Sequence, residues 1–310
     1  MALIVAFVVT ASLTPVAAGV ARRLGVVDRP GPHKVQSQPV PYLGGLAVLA
    51  GLAGPLLVGR PELAPALTLA TALGLADDVA ELSPRLRLAV EAVIGVATAL
   101  AVSVPGGLMP VAAIVVVVMM NAVNLLDGLD GLAAGVAGVA AAGFAWLLHG
   151  DLRVVALALV GAAAGFLLWN RPPARVYLGD AGSYLVGAGL GALAVSTLAL
   201  PTPAPQVAAA ALLLGVPVGD TSVAIVRRWR AHRPLFGGDR GHVYDQLVAR
   251  GWPATRAVAA CIGAEVVLVA VALRVAALDA GPALAVALAT VGATAAWLLR
   301  AFTAPGSWRQ

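Results

Sequence analysis

The chain has 310 residues, of which 60% are hydrophobic and 11% charged, and its mean hydropathy is +0.93. A soluble domain carries about 25% charged residues, so this composition excludes a soluble globular enzyme and implies an integral membrane protein. The net charge of +5 and isoelectric point near 10.1 would suggest a nucleic-acid partner in a soluble protein. In a membrane chain, basic residues gathered in the inner loops account for them, and no nucleic acid is expected.

The first apolar run, 2–21, has no basic residue ahead of it and is followed by Arg22 and Arg23. That order predicts an uncleaved first span with its N terminus outside. Further apolar segments fall at 43–59, 62–76, 86–104, 108–126, 129–149, 152–169, 184–200, 206–226, 257–279 and 281–301. Together they make about 10–11 spans near the ~20 residues a bilayer demands, the segment 62–76 being the least secure. Breaks are marked by Pro105-Gly106-Gly107, Pro172-Pro173 and the prolines between 201 and 205. Abundant Ala and Gly suit close helix packing in lipid. The single cysteine, Cys261, has no intrachain partner and says nothing about redox compartment.

Counting charges tests the topology. With the N terminus outside, 17 of the 20 lysines and arginines fall in inner loops, and only Arg60, Arg153 and Arg274 fall outside. This asymmetry predicts a cytoplasmic C terminus. Asp77, Asp78, Asp127, Asp130, Asp180, Asp239 and Asp245 all lie on the same inner side, and Asp220 lies near the inner end of the ninth segment. Charged groups from five segments at one membrane depth suit a one-sided active site at the cytoplasmic face. A transporter more often places its polar residues at the midplane on broken helices. The expectation is a single all-α transmembrane catalytic domain over 1–310, with 227–256 as a cytoplasmic recognition loop.

The stretch NAVNLLDGLDGL, 121–132, sets two asparagines and two aspartates at the end of an apolar run. Carboxylates there are costly to bury and point to function. Asn121 and Asn124 are three apart, as are Asn124 and Asp127, so each pair shares a helix face. Gly128 and Gly131 break the helix and let Asp127 and Asp130 turn toward one ligand; a helix cap is the plainer reading. Asp77-Asp78 are adjacent carboxylates that repel unless a cation lies between them; they suit Mg²⁺ or a general base, or else a solvated turn. In VYLGDAGS, 176–183, Gly179, Gly182 and a helix N terminus offer N–H groups to phosphate, and Asp180 offers a hard oxygen to Mg²⁺. Asp239, Arg240 and His242 in DRGHVYDQL form a combination suited to anions, or a charged surface helix. Lys34 is the one lysine beside nineteen arginines, which suggests that a compact ammonium is wanted there.

Hard-metal carboxylates, glycines and a basic loop at one interface imply chemistry on a pyrophosphate with a lipid co-substrate. In order, HKVQSQPVPYLGG (33–45), ADDVAELSPRLRL (76–88), NAVNLLDGLDGL, VYLGDAGS, PVGDT (217–221) and DRGHVYDQL resemble the polyprenyl-phosphate N-acetylhexosamine-1-phosphate transferase superfamily. The resemblance covers nearly the whole chain, and the ordered set is far more specific than any member. It implies a Mg²⁺-dependent (or Mn²⁺-dependent) enzyme of the bacterial plasma membrane. That enzyme would transfer a sugar-1-phosphate from a UDP-N-acetylhexosamine to polyprenyl (undecaprenyl) phosphate in the membrane, release UMP and start a cell-envelope glycan. It further implies catalysis tied to Asp77 and Asp78, and metal binding by Asp180 with Asn124 beside it. Asp127 and Asp130 would contact substrate, Asp130 reading uridine, and Tyr177 would stack on uracil. Lys34 would meet phosphate, and Arg240 and His242 pyrophosphate and sugar. A homodimer is plausible on the same ground. Many relatives carry His-x-His in the last motif; here Tyr244 stands second, and the triple histidine of the muramoyl-pentapeptide branch is absent, which favours the glycan-initiating branch. The phospho-MurNAc-pentapeptide transferase is the alternative within the family. Outside it, a transporter lacks the expected inverted repeat, and a CDP-alcohol phosphotransferase lacks its arginine after Asp127-Gly-Leu-Asp-Gly-Leu-Ala.

Overall fold

The computed structural model describes residues 1–29, 38–199, 201–234 and 241–303. Among these described residues it is an all-α bundle of thirteen α-helices with one two-stranded ribbon. In chain order these are α1 (Ala2–Leu24), β1 (Val27–Asp28), β2 (Val40–Pro41), α2 (Gly44–Gly59), α3 (Ala64–Ala80), α4 (Pro84–Ala101) and α5 (Met109–Leu126). There follow α6 (Leu132–Leu147), α7 (Gly150–Asn170), α8 (Gly179–Ser196), α9 (Ala204–Leu212), α10 (Gly215–Arg230), α11 (Val243–Ala249), α12 (Ala254–Ala276) and α13 (Ala280–Phe302). The ribbon pairs Val27 with Pro41 and Asp28 with Val40, antiparallel.

Each apolar segment forms helix, but the spans are unequal. Among the described residues, six helices are long and apolar enough to cross a membrane, or seven if α9 and α10 count as one bent span. The segment that looked weakest is among them, because a 3₁₀ turn at Pro61–Leu63 extends α3 to a run of 20 residues, Pro61–Ala80. By contrast α2 and α6 have 16 residues each. At 1.5 Å per residue that is about 24 Å, less than the ~30 Å hydrocarbon thickness.

The reason lies in α8. Every residue of α8 from Ala181 to Ser196 is buried, so this helix meets protein on all sides and its own lipophilicity matters little. Its small residues allow backbones to approach closely. A Cβ on Gly45 of α2 would run into the backbone nitrogen of Gly182, and one on Gly74 of α3 into the carbonyl oxygen of Asp180. These two contacts clamp the first turn of α8 between α2 and α3.

The ninth segment is the other departure. It is broken at Leu213–Leu214, and α9 and α10 meet at 62°. A break inside an apolar segment frees backbone N–H groups that lipid cannot satisfy. Glu265 of α12, fully buried, answers one of them: its Oε2 accepts from Val216 N at 3.1 Å. The wide apolar faces of α1, α12 and α13 remain exposed, as a lipid-facing perimeter requires.

Candidate active site

The ends of α3, α5 and α10 and the starts of α6, α8 and α11 gather at one end of the bundle. Asp77 and Asp78 are adjacent on α3 and therefore point about 100° apart around its axis. Asp77, 6% exposed, is engaged on both oxygens. Oδ1 accepts from Leu82 N at 2.8 Å; Oδ2 accepts from Arg87 Nη1 at 2.7 Å and from the Tyr184 hydroxyl at 3.3 Å. Asp78 turns to the N terminus of α8, accepting from Asp180 N at 2.9 Å and Ala181 N at 3.1 Å. Two of the N–H groups at the head of α8, where a phosphate cradle with Gly179 and Gly182 is expected, are thus taken by a side chain. The first amides of α8 are taken by Asp78, Gly182 packs on Gly45, and Gly179, at φ 72°, serves the tight turn into the helix.

Asp180 therefore sits in a turn that α2, α3 and Asp78 all hold. Its Oδ1 accepts from Asn124 Nδ2 at 2.7 Å, and the same amide donates to Ser183 Oγ at 3.0 Å. Its carboxyl group lies against that of Asp77. Asn121 does not join Asn124. Its Nδ2 donates to Glu91 Oε2 at 2.6 Å, on α4, because α5 runs between α4 and α8 and a three-residue step leaves the two side chains about 60° apart.

Asp127 ends α5, and the turn after it closes at Gly131, whose φ of 79° opens α6. Burial first, then the negative charges of Asp180, Asp78 and Asp130, push the Asp127 carboxyl well above the usual carboxylate range. Asp130 points the other way, and its Oδ2 accepts from Ala174 N at 2.8 Å. Asn170 braces the same loop: its Oδ1 accepts from Gly131 N at 2.9 Å, and its Nδ2 donates to Val176 O at 3.0 Å.

Tyr177 lies between Asp130 and the ribbon, its N donating to Pro41 O at 2.8 Å. Burial, then Asp130, Asp28 and Asp127, push its phenol up to about 12, so the ring is neutral at physiological pH. The Tyr42 ring stands 6.4 Å away at 45°, its hydroxyl donating to Asp28 Oδ1 at 3.1 Å. His242 and Tyr244 stack at 5.5 Å and 8°, and the Tyr244 hydroxyl donates to Leu125 O at 2.9 Å. That bond ties the recognition loop to the turn carrying Asp127. Lys34 and Arg240 lie outside the described residues.

Sequence reasoning gave no role to Arg87, Glu91, Asn170, Tyr184 or Tyr42. Glu91 alone had a clear signal, as an acid inside an apolar run.

Asp77, Asp78, Asp127 and Asp180 lie close enough to repel one another, and of the four it is Asp77 that pairs with the Arg87 guanidinium. Among the described residues, no group of three or more His, Cys, Asp or Glu side chains forms a metal cage. The donor set still fits Mg²⁺, which is bound through one or two carboxylates plus substrate phosphates and water rather than a closed protein cage. Asp180, held in place by Asn124, would supply such a carboxylate.

Residues 62–198 match the model of glycosyl transferase family 4. The chain is 31% identical over 277 residues to a probable undecaprenyl-phosphate N-acetylglucosaminyl 1-phosphate transferase of Bacillus subtilis, covering 81% of this chain and 77% of that protein. The chain belongs to this family. It is also 33% identical to the undecaprenyl-phosphate alpha-N-acetylglucosaminyl 1-phosphate transferase of Thermotoga maritima, over 75% of this chain and 76% of that one. A decaprenyl-phosphate N-acetylglucosaminephosphotransferase of Mycolicibacterium smegmatis is 32% identical, over 76% and 72%. Phospho-N-acetylmuramoyl-pentapeptide-transferases match locally, that of Granulibacter bethesdensis at 52% identity over 48 residues, or 16% of this chain. For a member of glycosyl transferase family 4, the clustered carboxylates belong to a phosphosugar transferase.

Proposed function

We propose that the chain transfers N-acetylhexosamine-1-phosphate, with N-acetylglucosamine as the leading sugar, from its UDP derivative to undecaprenyl phosphate and releases UMP. The reaction would run at the cytoplasmic face of a bacterial plasma membrane and begin an envelope glycan. The observation that carries this reading is the excess of carboxylate at the bundle end, which calls for a divalent cation and a polyanionic substrate together. The basic asymmetry of the loops supports the inner side.

An oxygen of the lipid phosphate attacks the sugar-bearing phosphorus of the donor. The bond from that phosphorus to the bridging oxygen breaks, and the electron pair leaves on UMP. A phosphate monoester loses its second proton near pH ~6, so the acceptor arrives largely as the dianion and needs no strong base. That agrees with Asp77 and Asp78, whose oxygens are all engaged, acting by position. Asp78 fixes the turn that presents Asp180, and Asp77 holds the Arg87 guanidinium beside it. Mg²⁺ on Asp180 would supply Lewis-acid stabilisation of the pyrophosphate and the leaving phosphate. Tyr177, kept neutral, offers its face to uracil, and Asp130 next to it offers an acceptor to the base or ribose.

The test is UMP release by purified protein in lipid vesicles with UDP-N-acetylglucosamine. Release that requires both undecaprenyl phosphate and Mg²⁺ is expected. Turnover with UDP-MurNAc-pentapeptide instead would move the chain to the muramoyl branch, and no UMP from either donor would overturn the proposal.

A further inference from the structure

A cavity of about 250 Å³ lies apart from the carboxylate cluster, between α1, β2 and the chain that links α7 to α8. Pro15 and Ala18 of α1, Val40 of β2, Trp169 of α7 and Val176 form its apolar wall. Arg22 and Arg175 stand on the same cavity with Gln38, and no acidic residue lines it. Pro15, Ala18 and Arg22 are three and four residues apart and so share one face of α1. Both arginines are exposed, and neither has an ion-pair partner among the described residues.

Two unpaired guanidinium groups beside an apolar wall call for an anion that carries hydrocarbon. The guanidinium fork of N–H donors matches phosphate oxygens. Basic pockets between membrane helices on the cytoplasmic side take anionic lipid head groups, and the loop charges put Arg22 on that side. Trp169 Nε1 already donates to Ala11 O at 2.8 Å, so its ring has only an apolar face to offer. Val16 and Val20, beside this face of α1, are exposed and leave a path for acyl chains along the helix. The acceptor lipid of the proposed reaction fits less well. None of Asp77, Asp78, Asp127, Asp130, Asp180 or Tyr177 lines the cavity. Ala174 does line it, while its N donates to Asp130 Oδ2 at 2.8 Å, so the chain at 174–176 is a wall shared by the two places.

We infer that this cavity binds the phosphodiester head group of an anionic phospholipid, held by Arg22 and Arg175. Its walls also support the residues proposed to read uridine. Pro41 O of β2 accepts from Tyr177 N at 2.8 Å, and Ala174 N holds Asp130. A head group that ties α1, β2 and 174–176 together steadies both, so the same lipid should lower KM for the sugar nucleotide. That last step rests on the proposed function; the binding site does not.

The test uses the full chain in an uncharged detergent, where no membrane surface potential gathers lipid. Native mass spectrometry follows uptake of phosphatidylglycerol, with phosphatidylcholine as the zwitterionic control. The wild type should take up phosphatidylglycerol in preference to phosphatidylcholine. Arg22→Gln or Arg175→Gln should weaken that uptake roughly tenfold, the low end for a charge-assisted hydrogen bond at an exposed group. Arg23→Gln removes the same charge one position on, about 100° around α1. Arg23 does not line the cavity, so uptake should be nearly unchanged. Without phosphatidylglycerol all three variants should melt with the wild type; a marked fall for Arg22→Gln or Arg175→Gln would show an arginine that serves the fold, against the inference. Equal losses of uptake in all three would mean a diffuse basic surface and overturn it, as would equal uptake of the two lipids. Undecaprenyl phosphate that displaces phosphatidylglycerol from the wild type would give the cavity to the acceptor and overturn it too. In vesicles, added phosphatidylglycerol should lower KM for UDP-N-acetylglucosamine in the wild type but not in Arg22→Gln or Arg175→Gln. Selective uptake with an unchanged KM would refute the link to Tyr177 and Asp130. If the wild type releases no UMP at all, the proposed function fails while the mass spectra still decide the site.

Discussion

Asp78→Asn tests whether the second member of the aspartate pair acts by position or by chemistry. The Asp78 carboxylate accepts from two successive amides at the head of α8, those of Asp180 and Ala181. Hydrogen bonds to a charged group contribute about 1.5–3 kcal/mol each, and neutral ones about 0.5–1.5 kcal/mol. Asparagine keeps one acceptor oxygen at neutral strength and turns its amide nitrogen toward the second N–H, which then has no partner. Because Asp78 is half-buried and water can reach part of the gap, a net loss near the low end, about 2 kcal/mol, is expected. For a protein of this size that is a fall in Tm of about 3–6 °C. Asp78→Ala leaves both amides unpaired and should cost about twice as much. The same loss should appear as a weaker apparent affinity for Mg²⁺, since the carboxylate of Asp180 sits on the turn that loosens. The assays are thermal unfolding in detergent and UMP release titrated with Mg²⁺ for the two variants. If Asp78→Asn melts with the wild type and yet has lost turnover at every Mg²⁺ concentration, the side chain is a reacting group and the helix-bracing account is wrong.

Other outcomes follow from the same geometry. Asp180→Asn should abolish UMP release, and excess Mg²⁺ should not restore it, because an amide oxygen carries no charge to offset the metal; near-normal activity would remove Asp180 from the metal site. Base–aromatic stacking contributes about 1–3 kcal/mol, so Tyr177→Ala should raise KM for the sugar nucleotide by roughly one to two orders of magnitude with kcat nearly kept, while Tyr177→Phe changes little. The raised ionisation of Asp127 weakens the metal-free fold as pH rises above the ordinary carboxylate range through the folded-state value, and the stability is fully present below that range. Asp127→Asn should therefore raise the metal-free Tm at pH 8 and lower turnover; a Tm that falls instead would show that Asp127 is not under repulsion. Single cysteines placed at Arg230 and Ala204 should label from opposite sides of the membrane, and labelling from one side would sink the orientation argued from the loop charges.

The apolar runs made the helices legible, since a run of about twenty aliphatic residues has few other outcomes. What they hid was which helices meet lipid. The long perimeter helices α1, α12 and α13 and the buried α8 all read as apolar. The difference lies in the glycines of α8 and its neighbours, whose packing partners are set by tertiary contact. The break between α9 and α10 had local signs in Gly215 and Pro217, yet its stability depends on Glu265, some fifty residues away in sequence. The candidate residues were legible as a set because they are polar groups at the ends of apolar runs. Their individual tasks were not. Asp77 and Asp78 differ by one position and so by about 100° of rotation, which sends one to Arg87 and the other to the head of α8. Asn121 and Asn124 separate for the same reason.

The arrangement also explains why close backbone packing stands under the cluster of carboxylates. Four carboxylates brought together without a metal push the helix ends apart, and one Arg87 guanidinium offsets only part of that charge. Carbon–carbon packing of long side chains there would tolerate a shift of an ångström or more. Backbone-to-backbone contacts through Gly45, Gly74 and Gly182 would not, because nothing can rotate out of the way. The first turn of α8 is thus held in place by backbone packing, and under the proposed function the charge that strains it would draw a cation and, through that cation, a pyrophosphate. A larger residue at Gly74 should therefore damage metal binding before it damages the overall helix content. Repulsion between the carboxylates acts at the same place, so Asp127→Asn should partly restore folding in a Gly74→Ala background but should not restore turnover.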